Sequence, residues 1–263
     1  MLLWVMRIIA GEFRRRLLET PRDAETTRPI PDRVKESLFS LLRGHCEGAS
    51  VFDAFAGTGA IGLEAVSRGA NRCVMVERDR HVAEMLRRNV ETLGCLDRCE
   101  VVSGDALGAG ALARCPRPCT LVFMDPPYPL IRDGLGFRRV MDQLSKLVEC
   151  LTPDGFAVLR TPWPLLLEAG GEEEASPEPA RRKGKPRKER RGRWDEPERP
   201  RRAPRAERFD EETIEWIETE GAEEGEGDKP VFEKPSLLIA NAVGPETHEY
   251  GTMAVHLYAR KKT

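Results

Sequence analysis

The chain has 263 residues, 33% of them charged, and its 42 Lys and Arg against 44 Asp and Glu leave a formal net charge of −2. That length accommodates one substantial α/β domain with additions, and the balanced charge excludes binding of nucleic acid through an overall basic field. The 7 cysteines follow no recognisable disulfide framework, and the apolar start Met1–Ala10 is far too short for a bilayer span and lacks a basic leader, so a reducing cytoplasm is expected.

The average charge conceals strong segregation, first in an N-terminal arm taken as residues 1–44. There Arg7, Arg14, Arg15, Arg16, Arg22, Arg28, Arg33 and Lys35 outnumber the acids among them by eight to five. Val5–Ala10 and Arg16–Glu19 around Gly11 are predicted to pair as a hairpin, and Pro31–Leu42 as a helix with Val34, Leu38 and Leu41 inward. Arginines in such an arm suit RNA phosphates, which supply affinity without sequence information; a solvated cationic face is the alternative.

The next stretch, Val51-Phe-Asp53-Ala-Phe-Ala-Gly57-Thr-Gly59-Ala-Ile-Gly62, reads as strand, tight loop and helix, the helix running from Ala60 to Arg68 and closed by Gly69. It contains GxGxxG with an acid, Glu77, about 20 residues after Gly57, which is the spacing of a dinucleotide fingerprint and keeps a nicotinamide enzyme open. Asp53, inside the strand, discriminates. A carboxylate there suits a ligand with a positive amino group and sits poorly beside a pyrophosphate, which wants N–H donors. The ligand that fits is S-adenosylmethionine. Arg72–Glu77 is then a second buried strand whose terminal acid is placed to take both ribose hydroxyls. Asp79 caps a helix to Leu93 closed by Gly94, with Val82, Leu86, Val90 and Leu93 on one face. Cys99–Ser103 is a third strand, followed by Gly104-Asp105-Ala106, where the acid would reach an adenine amine.

The fourth strand, Thr120–Met124, runs into Asp125-Pro126-Pro127-Tyr128. Two prolines fix the backbone and remove two donors, leaving acceptor carbonyls beside a carboxylate and an aromatic face. Such a site suits a planar amine: an exocyclic NH2 donates to Asp125 and the Pro126 carbonyl while its ring stacks on Tyr128. A proline-rich turn after a buried strand is the structural alternative. Phe137–Cys150 is a predicted helix, Gly155–Thr161 a fifth strand, and Ser236–Ala242 with Gly251–Ala259 an antiparallel hairpin that finishes the sheet. Strands alternating with helices imply a parallel, doubly wound α/β sheet, and Asp53, Glu77, Asp105 and Asp125 all fall at strand carboxyl ends, where such sheets bind ligands.

Between them, residues 169–234 change composition completely. Acidic stretches flank an Arg, Lys and Pro tract from Arg181 to Arg208, with few apolar residues beyond Trp194, Ile214, Trp216 and Ile217. Disorder is expected, with one short helix near Glu211–Thr219. A basic arm grasping RNA and a tolerated surface insertion are both open. Cys95, Cys99, Cys115 and Cys119 lack tight zinc spacing and read as small buried hydrophobes, so no metal is expected. The histidines His45, His81, His248 and His256 are scattered, which argues against hydrolase chemistry.

These motifs resemble class I S-adenosylmethionine-dependent methyltransferases. More narrowly, Met6-Arg-Ile-Ile-Ala-Gly-Glu-Phe-Arg-Arg-Arg-Leu17, Thr27-Arg-Pro-Ile-Pro-Asp-Arg-Val-Lys-Glu-Ser-Leu-Phe39 and Tyr250-Gly-Thr-Met-Ala-Val-His-Leu-Tyr258 resemble the RsmD family, which methylates a guanine exocyclic amine in small-subunit 16S rRNA. The resemblance covers Met6 to about Leu167 and Ser236 to the end, leaving Met1 or Met6 as the start. It implies a Rossmann-like, doubly wound, mostly parallel seven-stranded sheet with an antiparallel C-terminal hairpin, the methyltransferase domain comprising 45–168 and 235–263. It further implies catalytic Asp125, Pro126, Pro127 and Tyr128, and a cofactor site of Asp53, Phe55, Gly57, Gly59, Glu77, Arg78, Asp105, Ala106 and Asp125. RNA contacts would come from Arg7, Arg14, Arg15, Arg16, Arg28 and Arg33, with Arg28 and Arg33 also beside the pocket. The implied partner is ribosomal RNA or the assembling small subunit, met by a monomer away from any membrane. The family often has Phe where Tyr128 stands, and the charged insert interrupts its pattern. Transfer to adenine N6 or a protein glutamine, a nicotinamide oxidoreductase and a non-catalytic assembly factor remain the alternatives.

Overall fold

A computed structural model describes residues 6–21, 30–168 and 232–261. The arm contributes the short strands β1 (Met6–Arg7) and β2 (Leu17–Leu18), paired antiparallel, then helix α1 (Asp32–Leu41). The central unit alternates β3 (Ser50–Asp53), α2 (Gly62–Ser67), β4 (Arg72–Glu77), α3 (Arg80–Leu93), β5 (Cys99–Ser103), α4 (Ala109–Arg114) and β6 (Cys119–Met124). It continues through α5 (Tyr128–Arg132), α6 (Gly134–Val148) and β7 (Leu151–Pro162), the small pair β8 (Leu167–Glu168) and β9 (Phe232–Glu233), and the closing strands β10 (Ala242–Tyr250) and β11 (Met253–Arg260).

Seven strands form one sheet in the order β10-β11-β7-β6-β3-β4-β5. β7, β6, β3, β4 and β5 run parallel, and β11 is antiparallel to both β7 and β10. The chain builds outward from β3 through β4 to β5 and then crosses to the other side of β3 with β6. The carboxyl ends of β3 and β6 therefore flank the topological switch point, where open α/β sheets bind ligands.

The parallel strands are apolar on both faces because helices cover both. Val51, Leu121, Phe123 and Val158 face a core shared with Leu38 of α1, Leu63 of α2 and Leu86 and Val90 of α3. Phe52, Val74, Val122 and Leu159 face the opposite core with Val140, Leu144 and Leu147 of α6. Each such fully buried side chain contributes about 1.5–3 kcal/mol of transfer free energy. α3 has the ends its sequence predicts: the Asp79 carboxylate accepts the His81 and Val82 N–H groups at 2.8 and 3.0 Å, and Gly94 closes it at φ +74°.

Several boundaries differ from the sequence reading. α6 starts at Gly134 because Asp133 caps it, Oδ2 accepting the Gly136 N–H at 2.6 Å, and α5 is an additional turn built on Pro127. Leu41 is exposed, while the inward places on α1 go to Val34, Lys35, Leu38 and Phe39. The outer strand of the C-terminal hairpin is Ala242–Tyr250, not Ser236–Ala242. An edge strand tolerates Gly244 and Pro245 at a bulge because one side of its backbone needs no ladder partner. Ser236–Ala242 instead runs along the surface of the second core, with Ile239 buried in it and the Leu237 carbonyl accepting the Tyr258 hydroxyl at 2.9 Å.

The arm is packed into the first core through Ile8, Phe13 and Leu18. Gly11, at φ +84°, allows the approach: a Cβ there would lie 1.8 Å from the Ser67 carbonyl oxygen. The predicted insert, with its Arg181–Arg208 tract and the helix near Glu211–Thr219, lies outside the described residues except for residues 232–234 at its end.

Candidate active site

Asp53 ends β3 with 1% exposure. Its Oδ2 accepts the Gly62 N–H at 3.0 Å, while no donor among the described residues meets buried Oδ1 with the distance and angle of a hydrogen bond. Burial pushes this carboxyl up to about 7, helped by the negative charge of Asp125 and opposed by the N–H groups of Gly62 and Phe55. An unpartnered buried carboxylate oxygen fits a cationic ligand, which would return the free energy lost on burial.

The loop that follows turns on Gly57 and Gly59, at φ +54° and +95°. A Cβ on Gly59 would strike Leu63 and Leu86 at 2.6 Å, so the loop closes on the first core only with glycine there. Glu77 braces it from β4. Its Oε2 accepts the Gly57 N–H at 3.0 Å and its Oε1 the Asp79 N–H at 2.7 Å. This bracing role is absent from the sequence reading; a carboxylate still retains acceptor capacity on each oxygen for ribose hydroxyls.

Around this centre, Phe55 is half-buried, Arg78 exposed beside Glu77, and Ala106 buried. Asp105 is exposed after β5, accepting the Leu107 N–H at 3.0 Å and Arg139 at 3.4 Å. These positions sit after β3, β4 and β5, on one edge of the sheet.

Asp125 follows β6, next to Asp53 because β3 and β6 are neighbours in register, Asp53 opposite Phe123. Pro126 is buried, and the Pro127 carbonyl accepts the Leu130 and Ile131 N–H groups at the start of α5. The residue that sequence reasoning missed is Arg160, on β7. Its Nε donates to Asp125 Oδ1 at 2.5 Å and its Nη2 to Oδ2 at 2.9 Å. Asp125 is thus a clamped carboxylate, where the sequence suggested one open to a base amine alone. A signal was present: Arg160 interrupts the apolar run Phe156–Leu159, and a buried charge demands a partner. Tyr128 is half-buried, its ring centre 5.6 Å from the Arg160 guanidinium carbon and 5.8 Å from that of Arg132.

The basic arm divides by function. Arg7 pairs with Asp32 of α1 at 2.9 Å, inside the arm, and Arg16 Nη2 donates to the Thr92 carbonyl at 2.7 Å, which ties the arm to the body. Lys35 faces inward, where its ammonium donates to the Arg7 carbonyl at 2.6 Å and lies 3.4 Å from Glu64, itself buried and accepting the Ile9 and Ala10 N–H groups. Burial lowers the Lys35 pKa against the opposing pull of Glu64. Arg14 and Arg15 are exposed and, with Arg7, Ile8, Ile9 and Glu36, line an open hollow of about 230 Å³. Arg33 is exposed on α1; Arg22 and Arg28 lie outside the described residues.

Cys95 and Cys99 place their sulfurs 3.7 Å apart, and among the described residues no cluster of three or more His, Cys, Asp or Glu is arranged to hold a metal. His256 is buried between the hydroxyls of Thr161 and Thr247, each at 2.9 Å, and burial pushes it down to about 4. Among the described residues no helix is long and apolar enough to cross a membrane.

The strand order, the glycine loop after β3 and the acids along one edge define a Rossmann-like fold of the class I methyltransferase type. Residues 6–169 match the family model described as "Conserved hypothetical protein 95", and the chain belongs to that family. It is 42% identical over 123 residues to "Ribosomal RNA small subunit methyltransferase D" of Escherichia coli strain K12, and 36% identical over 124 residues to "Putative rRNA methyltransferase YlbH" of Bacillus subtilis. These matches cover 47% of this chain and 60% and 67% of those proteins. Among solved structures, a putative methyltransferase from E. coli superimposes with a TM-score of 0.59 at 24% identity, covering 98% of each chain. A putative methylase from Haemophilus influenzae gives 0.55 at 22% identity over 98% of this chain and 99% of that one. Both support the fold.

Proposed function

We propose that the protein transfers a methyl group from S-adenosylmethionine to an exocyclic amine of a base in ribosomal RNA, namely guanine N2 of small-subunit 16S rRNA. The observation that carries this reading is the meeting, at the switch point of the sheet, of an unpartnered buried Asp53 oxygen with Asp125-Pro126-Pro127-Tyr128. When bound, S-adenosylmethionine supplies an electrophilic methyl group on a sulfonium. Asp53 would hold its ammonium, Glu77 its ribose hydroxyls and Asp105 its adenine amine, with Phe55, Gly57, Gly59, Arg78 and Ala106 around it. The names of the curated relatives, which speak of rRNA methyltransferases, support methyl transfer to rRNA.

A base amine is a poor nucleophile because its lone pair is delocalised into the ring. Asp125 and the Pro126 carbonyl accept its two N–H bonds, turning that lone pair toward the reacting carbon, and Tyr128 stacks the base; orientation and electrostatics then do the catalysis. The proton leaves late, to water or to Asp125, and no covalent intermediate is needed. Arg14, Arg15 and Arg33 are the arm's exposed candidates for phosphate contacts, in a cytoplasmic monomer that meets rRNA or the assembling subunit. The test is incubation of the purified chain with S-adenosylmethionine and 16S rRNA from cells lacking the gene, followed by mass-spectrometric nucleoside mapping. N2-methylguanosine at one position is expected. Methyl incorporation only into adenine, or none into RNA, would refute the assignment.

A further inference from the structure

Arg160 is a charged side chain inside an apolar sheet, 7% exposed. β7 runs beside β6 with Leu159 opposite Met124, so the next residue reaches across to Asp125. The fork is complete: Nε to Oδ1 at 2.5 Å and Nη2 to Oδ2 at 2.9 Å. The remaining nitrogen, Nη1, lies 3.8 Å from the weak acceptor Met253 Sδ, and the guanidinium carbon stands 5.6 Å from the Tyr128 ring centre. One arginine therefore touches both the carboxylate and the aromatic part of the tetrapeptide.

Stability is a poor reason for such a pair, since apolar residues of similar volume often stabilise a core as well or better. Geometry is a good one. A bidentate fork fixes the plane and rotation of a carboxylate, and a carboxylate has about four lone-pair sites, of which Arg160 uses one on each oxygen. The others stay available in fixed directions. Arg160 also places a positive charge on Asp125, whose negative charge otherwise bears on the neighbouring acid Asp53.

We infer that Arg160 is a positioning residue for the proposed methyl transfer, clamping the Asp125 carboxylate beside Tyr128 in the arrangement that receives the target amine. The inference rests on the function proposed above. Arg160 acts through Asp125 and need not touch the reacting atoms.

The test is a mutant cycle on methyl transfer to rRNA, using Arg160→Gln, Arg160→Lys, Asp125→Asn and both double variants, with calorimetric S-adenosylmethionine affinity measured for each. Arg160→Gln is expected to lower kcat by about 100-fold while the KM for RNA and the cofactor affinity move less than about threefold. Arg160→Lys keeps the charge without the fork and should lose about tenfold. In the Asp125→Asn background either change should cost less than about twofold, because the carboxylate it orients is gone. Should Arg160→Gln fail to fold, the lysine cycle decides alone. The inference is overturned if the arginine variants keep kcat within about threefold of wild type, or lose the same factor in both backgrounds. Wild-type protein that methylates no RNA sinks the proposed function instead, before any variant is compared.

Discussion

Lowering the pH should eject the cofactor before it unfolds the protein, and Asp53 is the reason. Burial, aided by the Asp125 charge, pushes its carboxyl up to about 7 from an ordinary 3.8. A group raised in the folded state contributes stability that is fully present below its unfolded pKa and lost as pH rises through its folded pKa. Ionising Asp53 in the ligand-free protein therefore costs up to about 4 kcal/mol by pH 8, at about 1.36 kcal/mol per pKa unit. The proposed ammonium contact requires the ionised form, so binding must drive the proton off. Below pH 7 binding should release up to about one proton per cofactor, and apparent affinity should fall by up to about tenfold per pH unit. Calorimetry at pH 6 and pH 8, in buffers of different ionisation enthalpy, measures both. Asp53→Asn should remove the proton release, weaken binding at pH 8 by about 1–3 kcal/mol, and make the ligand-free protein relatively more stable at pH 8. Equal wild-type affinity at the two pH values, with no buffer dependence of the heat, would refute the argument that Asp53 is a raised acid facing the cofactor.

Asp125→Ala should abolish methyl transfer with cofactor affinity nearly intact, and should cost about 3–5 kcal/mol in chemical denaturation because it leaves Arg160 buried and unpaired. Turnover within a few fold of wild type would show the site to be misassigned. Gly11→Ala, which places a Cβ 1.8 Å from the Ser67 carbonyl oxygen, should destabilise by about 2–3 kcal/mol and weaken RNA binding by loosening the arm; an unchanged melting temperature contradicts it. Replacing Gly170–Asp228 by a short Gly/Ser linker should leave cofactor binding intact, since Leu167 already pairs with Glu233 and Glu168 with Phe232 across the gap. The slope of log RNA affinity against log salt should become shallower if the basic tract neutralises phosphates, and an identical slope means it does not touch RNA.

What the sequence by itself determined are the features whose causes are local. Asp79 and Gly94 bound α3 because a cap and a left-handed stop need only their immediate neighbours. The buried strands, the glycine turn after Asp53 and the Asp125-Pro126-Pro127-Tyr128 corner are legible for the same reason, as apolar runs and residues with unusual backbone demands. Tertiary structure alone decided the pairings between distant segments. Arg160 meets Asp125, Lys35 meets Glu64, and Glu77 reaches back to the Gly57 amide, each across 20 or more residues. Periodicity could not place Lys35 inward, because a cation is buried only where a partner on another element receives it. Nor could it choose β10 over Ser236–Ala242, since the more apolar stretch was claimed by the second core and the edge of the sheet accepted a proline that an interior strand would not.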